Sequence, residues 1–228
     1  MKQIPSDFSP IAVHDFEERT GIQLASVSAE YAPMEVIVAP RDIQEVSAVS
    51  LMPDAYRDQL LASIGIAYNR NRKVYKRLEV HLWMVDPNAV RVGQKFVYLP
   101  NIISLITDFR ESFKGFGTIR GFTQGGAYLI MGTHEGKRAL AHYLPPIVEI
   151  HGDQWILMDG VHRTYLARQA GVPLQCLVVH GVQLTFPCAP HSYNEVGILE
   201  EKPPHAKDRY WDLDPNLFRD LKYVGIDG

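Results

Sequence analysis

Apolar and polar positions follow the clearest pattern in residues 154–179. Four consecutive apolar residues, 155–158, predict a buried strand, and helix-forming residues at 161–170 predict a helix directly after it. Gly171 stands where a helix ends in a left-handed conformation, and the apolar run 174–179 predicts a second strand. The helical positions that are spaced to face a core are Leu166, Ala167 and Ala170. The segment therefore predicts a strand, a tight turn, a helix and a strand in immediate succession.

Periodicity elsewhere in the chain predicts further elements. Apolar residues recur at helical spacing in residues 13–19, 54–68, 101–113, 134–143 and 215–222. Three of these helices have a predicted N-cap, namely Asp54, Thr133 and Asp214. Strand patterns occupy residues 35–39, 78–85 and 128–131. These elements predict an α/β (α+β mixed) fold, with a small mixed sheet and helices.

The composition is that of an ordinary globular protein. The chain has 228 residues, of which 46% are hydrophobic and 21% charged, and its formal net charge of −3 does not favour nucleic acid as a partner. No apolar run reaches membrane length and the N-terminus lacks a secretory pattern, so we expect a cytoplasmic protein with no membrane partner. The nine histidines show no metal-ligand spacing, and Cys176 is predicted to be a small buried hydrophobe.

The candidate chemistry lies in the DGVHR segment, residues 159–163, between the first strand and the helix. A helix that begins there presents unpaired N–H groups and a partial positive charge to an anion. Gly160 would allow close approach of a ligand, and His162 and Arg163 would add side-chain donors. The alternative interpretation makes Asp159 an N-cap, Arg163 a surface ion pair and His162 a histidine at the rim. The spacing alone does not decide between the two.

The DGVHR segment, with its apolar strand before and its helix, Gly171 and strand after, resembles the D-G-x-H-R box of the ParB/sulfiredoxin superfamily. In that superfamily the box binds nucleotide phosphates. Residues 145–160 are similar to the family's preceding strand and turn, and residues 78–94 resemble its first strand and Pro-Asn loop. The resemblance implies a ParB/sulfiredoxin-like core at residues 78–182. The remaining segments would be an N-terminal helical extension, residues 1–77, and a C-terminal tail that packs on the core, residues 183–228.

Two departures from the family narrow what the resemblance implies. Sulfiredoxin has a nucleophilic cysteine where this chain has Val161, so a sulfinic-acid reductase is excluded. The partition proteins have an arginine-rich form of the box and a helix-turn-helix beyond it, and no convincing equivalent follows residue 179. The segment is therefore more similar to the free serine kinase-like and uncharacterised branches.

The first functional hypothesis is a nucleotide-dependent enzyme, a phosphotransferase or NTPase that uses ATP, ADP or CTP with Mg²⁺. The phosphoryl acceptor would be a small metabolite or water. The candidate residues for binding the nucleotide are Gly160, Val161, His162 and Arg163. The catalytic candidates are Asp159, His162, Glu135 and Asp86, because a carboxylate is needed to orient or deprotonate the acceptor.

The alternative hypothesis is a non-catalytic module in which the bound nucleotide switches the affinity for a protein or nucleic-acid partner. Nucleic acid would bind through a basic cluster, although a solvated helix end or linker is favoured for these residues, which are Arg70, Arg72, Lys73, Lys76 and Arg77. The glycine-rich residues 115–126 would form either a plain loop or a lid that carries Lys114 and Arg120 to phosphates.

Overall fold

The structure is a computed structural model that describes residues 8–112 and 126–227, and over these residues the protein has an α+β fold. In these ranges the strands are β1 (Ile11–Ala12), β2 (Val36–Val38), β3 (Glu45–Leu51), β4 (Gly65–Ile66), β5 (Asn69–Lys73), β6 (Glu79–Val85), β7 (Val90–Val92), β8 (Phe96–Tyr98), β9 (Tyr128–His134), β10 (Lys137–Tyr143), β11 (Ile147–His151), β12 (Gln154–Asp159), β13 (Leu174–His180), β14 (His191–Ser192) and β15 (Gly197–Leu199). The helices are α1 (Val13–Thr20), α2 (Leu24–Val27), α3 (Asp54–Ala62), α4 (Leu99–Ser112), α5 (Val161–Gln169) and α6 (Ala206–Arg209). None of these helices is both long enough and apolar enough to cross a membrane.

The chain folds into two compact units, each assembled from segments that are far apart in sequence. Of the described residues, unit 1 contains 8–77, 126–144 and 219–227, and unit 2 contains 78–112 and 145–218. The predicted boundary between residues 77 and 78 coincides with a boundary between the units. The other predicted boundaries differ, because residues 126–144 belong to unit 1 and the segment 183–228 is divided between the two units.

Unit 1 is built on a five-stranded sheet in the order β1-β2-β10-β9-β3, so its N-terminal segment is not a helical extension. Strand β2 runs parallel to β10 and pairs Val36 with Ala139, whereas the other neighbouring strands are antiparallel. Helices α1 and α3 bury Phe16 and Leu60 in the core of this unit. Pairing between β2 and β10 therefore joins two distant segments of the chain in one unit.

The sequence predicts a helix at residues 134–143, and the structure has a hairpin of β9 and β10 there instead. Glu135 and Gly136 form its two-residue turn with φ angles of 49° and 75°, the left-handed conformation that such a turn requires. Residues 139–143 are all buried, as in a strand that is covered on both faces. Such a run has no alternation by which a strand could be told from a helix, which is why the sequence pattern misleads here.

Unit 2 is built on a six-stranded sheet in the order β14-β7-β12-β11-β13-β6. Strand β12 lies between the antiparallel β11 and the parallel β7, and α5 connects β12 to β13. Helix α5 covers one face of this sheet, and the shared core includes Val161, Ala167, Leu157, Cys176 and Val178. Helix α5 therefore begins at the end of an interior strand of the sheet.

The elements predicted at residues 154–179 are confirmed as β12, α5 and β13. Gly171 has the left-handed φ of 65° expected after the helix. Ala170 is exposed rather than turned to the core, because the helix ends one residue earlier, at Gln169. The other predicted elements that the structure confirms are α1, α4, β2, β6 and β9.

Helix α3 is shorter than the predicted segment 54–68 because the chain turns back soon after Ala62 to pair β4 with β5. The basic cluster therefore lies partly in a strand and not at a helix end. The N-cap of α3 is Pro53, so the prediction that Asp54 caps this helix is wrong.

The predicted helix at residues 215–222 is replaced by two short 3-10 turns, Pro215–Leu217 and Lys222–Val224. Phe218, between them, is extended, with φ −63° and ψ 128°. Asp214 does accept the N–H of Asn216 at 2.9 Å, which confirms its predicted capping role. The glycine-rich segment with Lys114 and Arg120 lies outside the residues that the structure describes, apart from its last residue, Gly126.

Candidate functional site

Gly160 joins β12 to α5 and is the N-cap residue of the helix, with φ 87° and ψ 29°. L side chains rarely adopt this left-handed conformation, and glycine adopts it without strain. A Cβ atom at Gly160 would also lie 2.7 Å from the Cβ of Pro146. The backbone angle and the contact with Pro146 thus require glycine here. The sequence analysis gave a different reason for this glycine, namely that it would allow a ligand to approach closely.

The N-terminus of α5 has no side-chain cap. Its first intrahelical hydrogen bond is donated by the N–H of Thr164 to the carbonyl oxygen of Gly160 at 3.0 Å, so the N–H groups of residues 161–163 have no acceptor within the helix. The first turn contains no acidic side chain to offset the positive end of the helix dipole. The alternative interpretation of Asp159 as an N-cap is therefore wrong, and this helix end can attract an anion.

Asp159 and Arg163 form an ion pair across the turn, with 3.6 Å between Oδ2 of the carboxylate and Nη2 of the guanidinium. Both residues are buried, with 7% and 8% of their surface exposed. The alternative interpretation of Arg163 as a surface ion pair is thus correct in the ion pair and wrong in its place, because the pair is buried. Burial raises the pKa of the nearby Cys176 to about 12, although the charge of Arg163 opposes this, so Cys176 is a neutral buried thiol as predicted.

His162 is tied to strand β8 through its ring. The backbone N–H of Tyr98 donates to Nε2 of His162 at 3.0 Å, and the two rings lie 5.6 Å apart. Burial, together with the charges of Arg163 and Lys202, lowers the pKa of His162 to about 4. The ring is therefore neutral near pH 7, with its proton on Nδ1, and it can offer one hydrogen bond to an anion but no positive charge.

Three residues that the sequence analysis did not single out lie near the DGVHR segment. They are Tyr98 at the end of β8, Lys202, whose charge acts on His162, and Arg209 at the end of α6. The charge of Arg209 opposes the increase in the pKa of Tyr98 that burial causes. Long-range packing brings these residues to the site, and no local motif marks them in the sequence.

Of the other two catalytic candidates, Asp86 does not lie at the DGVHR segment and Glu135 belongs to the other unit. Asp86 is exposed in the turn after β6, where its Oδ1 accepts the N–H of Asn88 at 2.9 Å. Asn88 accepts a hydrogen bond from Arg168, near the C-terminal end of α5, so the Asp86 turn is at the far end of a helix about 13 Å long. Glu135 occupies the β9–β10 turn in unit 1, whereas the DGVHR segment lies in unit 2.

The described residues contain no cluster that would make a dedicated metal site. In the two described ranges, no group of three His, Cys, Asp or Glu side chains could hold a metal ion. A Mg²⁺ ion that accompanies a nucleotide is bound mainly by phosphate oxygens and water, with one or two carboxylates. Asp159 is the carboxylate that could reach such an ion from the DGVHR segment.

Part of the basic cluster is already engaged within unit 1. Nε of Arg70 donates to Asp220 at 2.9 Å, and its guanidinium lies 4.0 Å from the centroid of the Tyr223 ring. Lys73 donates to the carbonyl oxygen of Ser63 at 2.7 Å. These contacts tie the two cations to neighbouring parts of the unit, so they give no support to a nucleic-acid surface.

Comparison with protein-family models, with curated proteins and with solved structures gives no match to this chain. The resemblance of the DGVHR segment to the ParB/sulfiredoxin box therefore stays a prediction.

Proposed function

We propose that unit 2 binds the phosphate groups of a nucleotide at the N-terminus of α5. The observation that carries this proposal is the uncapped first turn of the helix, directly after a strand and without an acidic side chain. Phosphate accepts hydrogen bonds from the N–H groups of such a turn and is stabilised by the dipole of the helix.

The charges around the turn support an anionic ligand. Arg163 lies in the first turn, and Lys202 is close enough to His162 to lower its pKa. The charge of Arg209 opposes the rise in the pKa of Tyr98, which contacts His162, so Arg209 is also close to this turn. Lys202 and Arg209 thus add positive charge beside the paired Arg163, in a chain whose formal net charge is −3. A positive cluster in an acidic protein is suited to focus an anion on one place.

Phosphoryl transfer or hydrolysis at this site would use Asp159 to orient the acceptor. Asp159 is the carboxylate that the fold places at the turn, and the neutral His162 can donate from Nδ1 to a phosphoryl oxygen. The enzyme would be a phosphotransferase or NTPase acting on ATP, ADP or CTP. When bound, Mg²⁺ would offset the charge of the phosphates.

The second candidate is a nucleotide-switched module without catalysis. The ion pair with Arg163 favours it, because a carboxylate held by a guanidinium is a weaker base than a carboxylate alone. In this case the nucleotide would bind at the same helix end, and a protein or nucleic-acid partner would respond to its presence.

A melting-temperature panel tests binding, and a turnover assay separates the two candidates. The full chain is melted with AMP, ADP, ATP and CTP, with and without Mg²⁺. A nucleotide at one hundred times its dissociation constant should add about 2.7 kcal/mol to the free energy of unfolding. Release of phosphate or diphosphate from the stabilising nucleotide supports the enzyme, and stabilisation without release supports the switch. Flat melting curves for every nucleotide would contradict the proposal.

A further inference from the structure

Arg209 has a buried N–H group for which no described residue provides an acceptor. Only 5% of its surface is exposed, and its Nε has no hydrogen-bond partner among the residues that the structure describes. A buried guanidinium normally makes hydrogen bonds, because desolvation of its charge is costly. An anion beside Arg209 would supply the opposite charge and accept from this N–H.

Tyr98 is a second buried residue whose polar group lacks a hydrogen-bond partner among the described residues. It is 5% exposed, and over the described residues its hydroxyl also lacks a hydrogen-bond partner. The carbonyl oxygen of Arg209 accepts the N–H of Lys95 at 2.9 Å, which places Arg209 alongside the chain that leads into β8 and Tyr98. Burial raises the pKa of Tyr98, so near pH 7 its hydroxyl keeps its proton and can donate it to an anion. The Arg209 Nε–H and the Tyr98 hydroxyl are thus two buried donors, in the same part of unit 2, for which no described residue is an acceptor.

Tyr98 connects these donors to the start of α5 by direct contact. The N–H of Tyr98 donates to His162, the second residue of α5, and the two rings pack against each other. His162 therefore links the start of α5 to Tyr98, and the backbone hydrogen bond from Lys95 joins Arg209 to the segment that leads into Tyr98. Arg209 lies beyond residues 78–182, so it has no counterpart in the resemblance to the ParB/sulfiredoxin superfamily.

We propose that the Arg209 guanidinium and the Tyr98 hydroxyl bind a second phosphate group of the ligand whose first phosphate lies at the N-terminus of α5. This inference rests on the proposed function and names its ligand class, a compound with two linked phosphates such as a nucleoside diphosphate or free pyrophosphate. A monophosphate reaches only one of the two sets of donors.

Titration calorimetry with inorganic phosphate, pyrophosphate, AMP and ADP tests the inference. The variants are Arg209→Met, which keeps an apolar stem, and Tyr98→Phe, which removes only the hydroxyl. Arg91→Met, at an exposed position of β7, is the control for the loss of one positive charge in unit 2. The wild type should bind pyrophosphate about tenfold or more tightly than phosphate, as expected for added charge-assisted hydrogen bonds.

Arg209→Met and Tyr98→Phe should each lose most of this preference for pyrophosphate while keeping the affinity for phosphate, and Arg91→Met should keep both affinities. Without ligand, Arg209→Met should melt no lower than the wild type, because a buried charge has been removed. Tighter binding of ADP than of pyrophosphate identifies a nucleotide, and equal binding identifies pyrophosphate as the ligand.

Two different results would overturn the inference, and they are distinguishable. If the wild type binds pyrophosphate but Arg209→Met and Tyr98→Phe lose no more affinity than Arg91→Met, the second phosphate lies elsewhere and the proposed function stands. If the wild type binds none of the four probes, the proposed function fails and the inference fails with it.

Discussion

His162 and Arg163 are neighbours in the first turn of α5, but they bring different charges to it near pH 7. Arg163 is a buried cation that is paired with Asp159, and His162 is a neutral ring that accepts the N–H of Tyr98. The sequence predicts both residues in the first turn of a helix, and the structure confirms that position. The sequence does not reveal the charge state of His162, because burial and two nearby cations determine its pKa and these arise only in the folded chain.

The lowered pKa of His162 makes stability depend on pH. Its pKa is about 4 in the folded protein, against an ordinary value of 6.5, so between these values the unfolded chain binds a proton that the folded chain does not. Stability should therefore fall as pH decreases from about 6.5 to about 4, and His162→Gln should weaken this dependence. Urea unfolding across this range measures the effect, with the exposed His14→Gln as control. An identical pH dependence in His162→Gln and wild type would show that His162 is not responsible.

Replacing only one partner of the Asp159–Arg163 ion pair should lower the free energy of unfolding substantially. Arg163→Met leaves a buried carboxylate without its neighbouring cation, so the free energy of unfolding should fall by about 3 kcal/mol. The double variant that adds Asp159→Asn should recover most of this loss. Asp54→Asn, which breaks an exposed pair with Arg57, is the matched control and should cost at most about 1 kcal/mol. Equal losses for Arg163→Met and Asp54→Asn would contradict the buried pair.

At the level of elements, the sequence predicts β12, α5 and β13 well because each has a strong local signal. The apolar runs define the strands, and Gly160 and Gly171 mark the two ends of the helix. The β9–β10 hairpin is missed for the opposite reason. Its buried run has no alternation, and its turn has the residues Glu135 and Gly136 instead of the more typical Asn-Gly.

Gly160 and Gly171 provide a matched pair of substitutions, because both have a left-handed φ, 87° and 65°. A Cβ at Gly171 would meet nothing within 4 Å, whereas one at Gly160 would meet Pro146 at 2.7 Å. Gly171→Ala should therefore cost about 1 kcal/mol for its backbone angle alone. Gly160→Ala should cost about 1 to 3 kcal/mol more, because Pro146 must move. Equal costs in thermal or urea unfolding would show that the contact with Pro146 has no energetic effect.

At the level of the whole molecule, the division into two discontinuous units could not be predicted from local pattern. Pairing of Val36 with Ala139 brings the N-terminal segment and a later hairpin into unit 1, and neither segment indicates its partner. The same limit applies to the site. Its DGVHR segment is continuous and recognisable, but Tyr98, Lys202 and Arg209 reach it through the fold of unit 2.

The most direct test of the proposed phosphate site is a backbone-amide NMR titration of the full chain with ADP and with pyrophosphate. We predict that the largest shifts occur at the N–H groups of residues 161–163, since these donate to phosphate at the N-terminus of α5. The N–H groups of the first turn of α3, another helix without a side-chain cap but with an acidic residue in that turn, should not move. Shifts confined to other residues, or no shifts on saturation with either ligand, would contradict a phosphate site at this helix end.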